Sequence, residues 1–294
     1  MSPAKTSQTL SGILDDTRKE IAQDKKVEPL DELQRRISTA PKVLSFLSAL
    51  RAPGYGLIAE IKECSPSKGA MAVENIRRAA EAYKNSPCVR AISVLTNRAH
   101  FGRGMTLEHL RGVKQLAGKP VLRKEFIVDE YQVYQARAYG ADAILLMANI
   151  LETADLKKFH DLSKSLGMDV LFETHEPEEL KKIPEGAAIY GINSRNFCSE
   201  KQTFDQSRQE RGRQDLTTDL NRFGYCDQLP AGSVKIAESG VGPETCRQVF
   251  DSGFSIILVG TALLIGPEPI EDVLGRFEIE LARLNGGSRI NISA

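Results

Sequence analysis

Short apolar runs that stop abruptly at a charged or small polar residue recur eight times along this chain. They cover residues 57–62, 91–96, 121–124, 143–147, 170–173, 189–193, 234–239 and 256–260. Strands buried on both faces of a parallel sheet read as continuous apolar runs, and the carboxyl ends of such strands carry the chemistry. Between the runs, apolar positions return at helical spacing. This predicts helices over 73–85, 106–116, 130–139, 152–166, 176–183, 243–251 and 269–284, with a further one between 205 and 221. Thr106, Pro243 and Pro269 mark starts, and Gly140, Gly167 and Gly253 mark stops.

Strand–helix alternation repeated in this way is the pattern of a (β/α)8 TIM barrel, which usually takes about 250 residues. A doubly wound open sheet is the runner-up, but no G-x-G-x-x-G turn follows Lys62. The first fifty residues differ. Leu10, Ile13, Leu14, Thr17 and Ile21 share one helical face, as do Leu30, Leu33 and Ile37, and then Val43, Leu44, Leu47 and Leu50, with Pro29 and Pro41 between the segments. Those faces need a surface to bury against. The expected organisation is therefore a helical extension over residues 1–50, packed on a catalytic barrel of residues 51–294. Residues 198–232 are polar and long for one connection, predicting a lengthened loop and helix on the barrel's top face.

Lys plus Arg and Asp plus Glu both number 39, so the zero formal charge offers no overall pull towards nucleic acid or an anionic membrane. No apolar stretch reaches bilayer length and the start lacks the apolar segment of a secretory signal, so a cytoplasmic protein is expected. The five cysteines (64, 88, 198, 226, 246) form no C-x-x-C pair and suggest free thiols. The four histidines have no helical metal spacing, and His175 follows a strand end. Monomer and homodimer both remain open.

Candidate chemistry gathers at the run ends. Glu60 and Lys62 are two apart on one strand and share a face, either as a structural ion pair or as working groups. Lys124, Glu173, Asn193 and Glu238 end four other runs, and convergence of all six on one mouth favours the working reading. The Gly loops 239–242 and 260–262, after the seventh and eighth runs, stand where this fold binds phosphate through backbone N–H groups. Residues 65–69 suit a mobile lid. Arg208, Arg211, Arg213 and Arg222 form either an anion patch or a solvated face.

The stretch 58–69 (IAEIKECSPSKG) resembles the signature of the indole-3-glycerol-phosphate synthase family. Val94-Leu95-Thr96, Leu122-Arg123-Lys124-Glu125-Phe126-Ile127, Glu173-Thr174-His175, Gly191-Ile192-Asn193-Ser194-Arg195-Asn196 and Glu238-Ser239-Gly240-Val241 are similar to its later motifs, in order. The resemblance runs from about residue 10 to residue 284. It implies a barrel with its helical extension over the mouth and a small anionic substrate, 1-(2-carboxyphenylamino)-1-deoxyribulose 5-phosphate. That substrate closes to an indole with loss of carbon dioxide and water, without cofactor or metal. It also implies a place in tryptophan biosynthesis, where transient contact with other enzymes of the pathway is conceivable.

Carried over residue by residue, the resemblance implies Lys124 as general acid. Lys62 binds the carboxylate or assists dehydration. Glu173 stabilises the cation or takes the ring proton, and Glu60 is a second acid or base. Asn193, Arg195 and Ser65 orient the carboxylate and sugar hydroxyls, with Glu238 and Ser239 completing the polar wall. Gly240, Gly260 and Thr261 hold the phosphate, and Phe126, Leu146 and Phe197 sandwich the aryl ring. The chain departs from the family pattern at Phe197 (commonly leucine), at Glu125 (commonly aspartate), at Asn97 (often an acid) and in the length of 198–232. A sugar-phosphate isomerase, an aldolase using Lys124 as a Schiff base, and a non-catalytic barrel are the competing readings.

Overall fold

A computed structural model of the chain describes residues 10–62, 64–65, 69–70, 75–98, 105–195, 218–264 and 268–286, with backbone alone at 64, 65, 69, 70 and 75. Eight strands close a parallel barrel. They are β1 (Gly56–Ile61), β2 (Val89–Leu95), β3 (Val121–Lys124), β4 (Ala143–Met147), β5 (Asp169–Thr174), β6 (Ile189–Asn193), β7 (Val234–Glu238) and β8 (Ile256–Val259). Every predicted run is a strand. Closure is made where β1 pairs with both β2 and β8. A two-residue antiparallel pairing, Cys64–Ser65 with Gly69–Ala70, follows β1.

Alternation along the strands sorts the apolar side chains into two clusters. Ile58, Leu122, Leu145, Leu171, Ile236 and Leu258 fill the lumen. Leu57, Val94, Ile144, Phe172, Ile192 and Ile257 face the surrounding helices. This is the period of two that a strand imposes, carried around a closed barrel whose interior is packed rather than open. The polar strand ends Glu60, Lys124, Glu173, Asn193 and Glu238 fall on the lumen parity.

The outer layer contains α4 (Asn75–Asn85), α5 (Leu107–Ala117), α6 (Glu130–Ala138), α7 (Thr153–Ser165), α8 (Cys246–Asp251), α9 (Thr261–Leu264) and α10 (Ile270–Leu284). Thr106 is the N-cap of α5, and its N–H donates to His109 Nδ1 at 3.0 Å, which assigns that histidine a capping role. Two segments differ from expectation. Pro177–Lys182 is a 3-10 helix with no buried residue rather than an α-helix. Pro243 opens a 3-10 turn, Pro243–Thr245, before α8 begins. The helix expected between 205 and 221 falls mainly outside the described residues. Within them, a kinked 3-10 segment spans Leu220–Gln228 and buries Phe223, Tyr225 and Cys226.

The extension forms α1 (Leu10–Val27), α2 (Leu30–Thr39) and a short α3 (Phe46–Leu50); Val43 and Leu44 are not helical. It traverses the barrel's height instead of lying only over the mouth. Leu10 and Ile13 join the apolar cluster that includes Phe126 and Met147 at the upper end. Farther along α1, Lys25 meets Asp129, and Tyr131 donates to the Glu28 carbonyl beside α6. At the lower end, the backbone N–H of Leu44 donates to Asp142 and that of Leu47 to Asp169, at the amino ends of β4 and β5. Phe46, fully buried, belongs to the lumen cluster there.

Candidate active site

The strand ends bring their charges together. Lys124 Nζ lies 3.1 Å from Glu238 Oε2, 3.6 Å from Glu60 Oε2 and 4.0 Å from Glu173 Oε2. Lys62 Nζ donates to Glu60 Oε1 at 2.5 Å. All three carboxylates are buried, and Lys124 keeps only 15 % of its side chain exposed. Glu60, Lys62, Lys124 and Glu173, together with Leu95, Glu125, Phe126, Leu145, Met147, Asn193, Arg195 and Ser239, line one cavity, and Glu238 stands behind Lys124. The cavity has an apolar side and a charged side, the composition of a small-ligand site.

Burial and mutual charge set the protonation states. Burial would raise Glu60, but Lys62 and Lys124 outweigh it and hold this carboxyl at about 2. Burial alone would lower Lys124, yet Glu238, Glu60 and Glu173 hold it well above the ordinary lysine value. Glu238 moves the other way. Burial, with Glu173 beside it, pushes its carboxyl up to about 8 in spite of Lys124. Glu173 Oε2 and Glu238 Oε1 accept no hydrogen bond from a donor among the described residues. Glu238 therefore holds its proton near neutral pH. Burial, reinforced by Arg222, pushes His175 down to about 3, so a neutral imidazole stands 3.6 Å from Glu173 Oε1. Arg195, whose guanidinium is pulled down by burial, presents an Nη1 with no hydrogen-bond partner among the described residues.

Two glycines at lumen positions make room for these groups. A Cβ on Gly191 would collide with Glu238 Oε1, and one on Gly260 would collide with Glu60 Oε1 and stand 2.8 Å from Lys62 Nζ. Gly260 therefore has a steric reason to be glycine that is separate from phosphate. Ser239 adopts a left-handed φ of 68°, and Ser194 Oγ donates to its carbonyl at 2.9 Å, which fixes the turn beyond β7. Gly240 follows with φ 71°. Gly240, Gly260 and Thr261 do not line the cavity; Gly240 and Gly260 lie in the turns just after β7 and β8, and Thr261 opens α9.

The structure gathers Glu60, Lys62, Lys124, Phe126, Glu173, Asn193, Arg195 and Ser239 around one cavity, with Glu238 against Lys124. Leu146 is a correction. It faces the helices in the outer cluster, while its neighbours Leu145 and Met147 face the cavity. The run 143–147 is apolar throughout, so its parity has no polar marker. Parallel pairing of Met147 with Glu173 supplies that marker only in three dimensions. Phe197, Lys68, Arg208, Arg211, Arg213 and the side chains of Cys64 and Ser65 lie outside the described residues. Arg222 is no solvated patch, for it reaches Glu176 Oε1 at 3.3 Å and the Arg195 carbonyl at 3.4 Å. Cys88, Cys226 and Cys246 are free and buried. No cluster suited to a metal occurs among the described residues, and no described helix is long and apolar enough to cross a membrane.

A closed parallel barrel with acids and cations gathered at the carboxyl ends of its strands places the chain among the (β/α)8-barrel enzymes. Solved barrels agree on the fold. The 3-hexulose-6-phosphate synthase from Salmonella typhimurium superposes with a TM-score of 0.57 at 14 % identity, over 78 % of this chain and 99 % of that one. N-(5'-phosphoribosyl)anthranilate isomerase from Pyrococcus furiosus gives 0.52 at 13 %, over 78 % and 99 %. Sequence relatives are more specific. The indole-3-glycerol phosphate synthase of Saccharopolyspora erythraea is 38 % identical over 265 residues, which is 88 % of this chain and 91 % of that protein. That of Lachnospira eligens is 35 % identical over 273 residues, or 92 % and 96 %. Residues 10–273 match the family described as indole-3-glycerol phosphate synthase, and the chain belongs to that family.

Proposed function

We propose that this protein is an indole-3-glycerol phosphate synthase acting by general acid–base catalysis, with Lys124 as the acid that starts ring closure. One observation carries the reading: a single ammonium sits within 4.0 Å of three buried carboxylates, in a cavity that also holds Lys62 and Arg195. The substrate has an aryl carboxylate, a ketone and a phosphate. Arg195 Nη1 is a donor available to the carboxylate, and Phe126, Leu145 and Met147 offer the apolar side to the ring. The turns at Ser239–Gly240 and Gly260–Thr261 stand ready for the phosphate.

The ring carbon bearing the carboxylate attacks the ketone carbon, and Lys124 delivers its proton to the ketone oxygen as the new C–C bond forms. The C–CO2 bond then breaks, and its electron pair neutralises the iminium and restores the aromatic ring. The hydroxyl leaves as water with a proton from Glu238, pushed by the ring nitrogen. A proton lost from the adjacent methylene to a carboxylate completes the indole. Glu60 stays ionised throughout and holds Lys62 in place. Charge neighbours that raise Lys124 disfavour the neutral amine a Schiff base needs, which speaks against the aldolase reading.

The test is indole fluorescence from purified protein given the ribulose phosphate, with and without a chelator. Indole product at equal rates in both is expected. No product under either condition overturns the proposal.

A further inference from the structure

At Glu125 a single side chain separates two cavities. A second cavity, of about 790 Å³, lies between α1 and the barrel and is lined by Glu20, Asp24, Arg98, Arg123 and Gln135 among others; Glu125 lines both it and the mouth. Its buried carboxylate accepts hydrogen bonds from Thr96 Oγ1 (2.9 Å), Asn97 Nδ2 (3.1 Å) and the backbone N–H of Phe126 (2.9 Å). On its other flank Arg123 Nη2 stands 4.0 Å away. Asn97 and Glu125 are two of the positions at which this chain departs from the family pattern, and in space they meet in one hydrogen bond. An acid at 97 would set two buried carboxylates face to face, whereas the amide donates. The spot thus holds a single carboxylate, tied to both β2's exit and β3's.

Neighbours along a strand point to opposite faces. A carboxylate at 125 pinned to the end of β2 therefore fixes the turn of the backbone that leaves Lys124 on the lumen side. The pinning group is braced from outside as well. Arg98, next to Asn97, holds both oxygens of Asp24 on α1 at 2.9 Å. We propose that Glu125 is a positioning residue for Lys124, holding the exit of β3 so that the ammonium stays against Glu60, Glu173 and Glu238. This inference rests on the reading of Lys124 as the acid. A displacement of about 1 Å at such a group costs up to roughly 100-fold in rate.

The test compares kcat, KM and melting temperature for Glu125→Gln, for Asn97→Asp combined with Glu125→Gln, and for Lys124→Met. Glu125→Gln is expected to lower kcat about 30-fold while KM moves less than about threefold. The double variant moves the carboxylate to the other side of the same hydrogen bond and is expected to restore about tenfold of that loss. A residue that only stabilises the fold would shift the melting temperature without this rescue of kcat. If Glu125→Gln stays within about threefold of the parent while Lys124→Met is inactive, the positioning role is overturned and the acid stands. If Lys124→Met is itself nearly normal, the reading of the acid falls and this inference with it. Should Glu125→Gln yield no folded protein, Asn97→Asp alone decides, since it keeps Glu125 and opposes it with a second carboxylate. A loss of about tenfold in kcat supports the role, and a change under about threefold overturns it.

Discussion

At the floor of the barrel, Asp142 receives four hydrogen bonds of 2.7 Å: Lys114 Nζ reaches both of its oxygens, and the N–H groups of Leu44 and Val121 complete the set. At the mouth, one lysine faces three carboxylates, and two carboxylate oxygens accept nothing from the described donors. Both clusters are buried and both pair acids with lysine, so burial and charge do not tell them apart. Completeness does. The lower pair ties α5, β3, β4 and the segment before α3 into one joint, and each Asp142 oxygen already accepts from two donors. The upper set has two unfilled carboxylate oxygens, a proton held on Glu238 and a spare guanidinium nitrogen. A buried ion pair is weak evidence of purpose by itself, but unfilled hydrogen-bonding capacity among buried charges points to a missing partner.

The sharpest way to break this comparison is to cut each cluster and measure both stability and turnover. Asp142→Ala strands Lys114 and two backbone donors, and should lower the unfolding free energy in urea by about 3–5 kcal/mol while the folded protein keeps near-normal kcat. Lys124→Ala should do the reverse, lowering kcat by at least about 100-fold, or roughly 2.7 kcal/mol of barrier, with a smaller change in urea. If the two variants show the same pattern, the distinction collapses. Next in size is the ring wall. Met147→Ala should raise KM about tenfold, while Leu146→Ala should leave KM alone and cost about 2–4 kcal/mol of stability, read from steady-state kinetics beside urea melts.

The smallest expected effect is a pH slope. Glu238 rises from an ordinary 4.5 to about 8 on folding, so between those values the folded state holds a proton the unfolded chain has shed. Its contribution to stability is present at acid pH and declines as pH climbs through that window. Glu60, lowered to about 2, contributes with the opposite sign between about 2 and 4.5. Melting temperatures from pH 5 to 9 should fall less steeply in Glu238→Gln than in the parent, and an unchanged slope would show that the retained proton is not there.

The strand ends were legible because a charge after an apolar run marks both the end of a strand and the face it serves. Glu60, Lys124, Glu173, Asn193 and Glu238 were found that way. β4 has no such mark, so the run itself offers nothing to choose between the Leu146 that the resemblance implies and its neighbours Leu145 and Met147. The spaces at Gly191 and Gly260 were also invisible, since a glycine does not announce which neighbour needs its missing side chain; at 260 the pattern suggested a phosphate turn alone. The path of the extension could not be seen either. Its apolar faces demanded a surface, but only the fold, through the donors at Leu44 and Leu47 and the burial of Phe46, reveals that it reaches the floor. Asn97 and Glu125 read as two separate oddities until the fold joined them.

That path has a consequence for biosynthesis. The polar anchors of residues 10–50 described here (Arg98, Asp129, Tyr131, Asp142 and Asp169) have all been translated by the time β5 begins. β1 waits much longer for β8. A growing polypeptide on the ribosome thus has the means to shield an open half-cylinder of sheet well before its two edges can join, when bare strand edges are most prone to stray pairing.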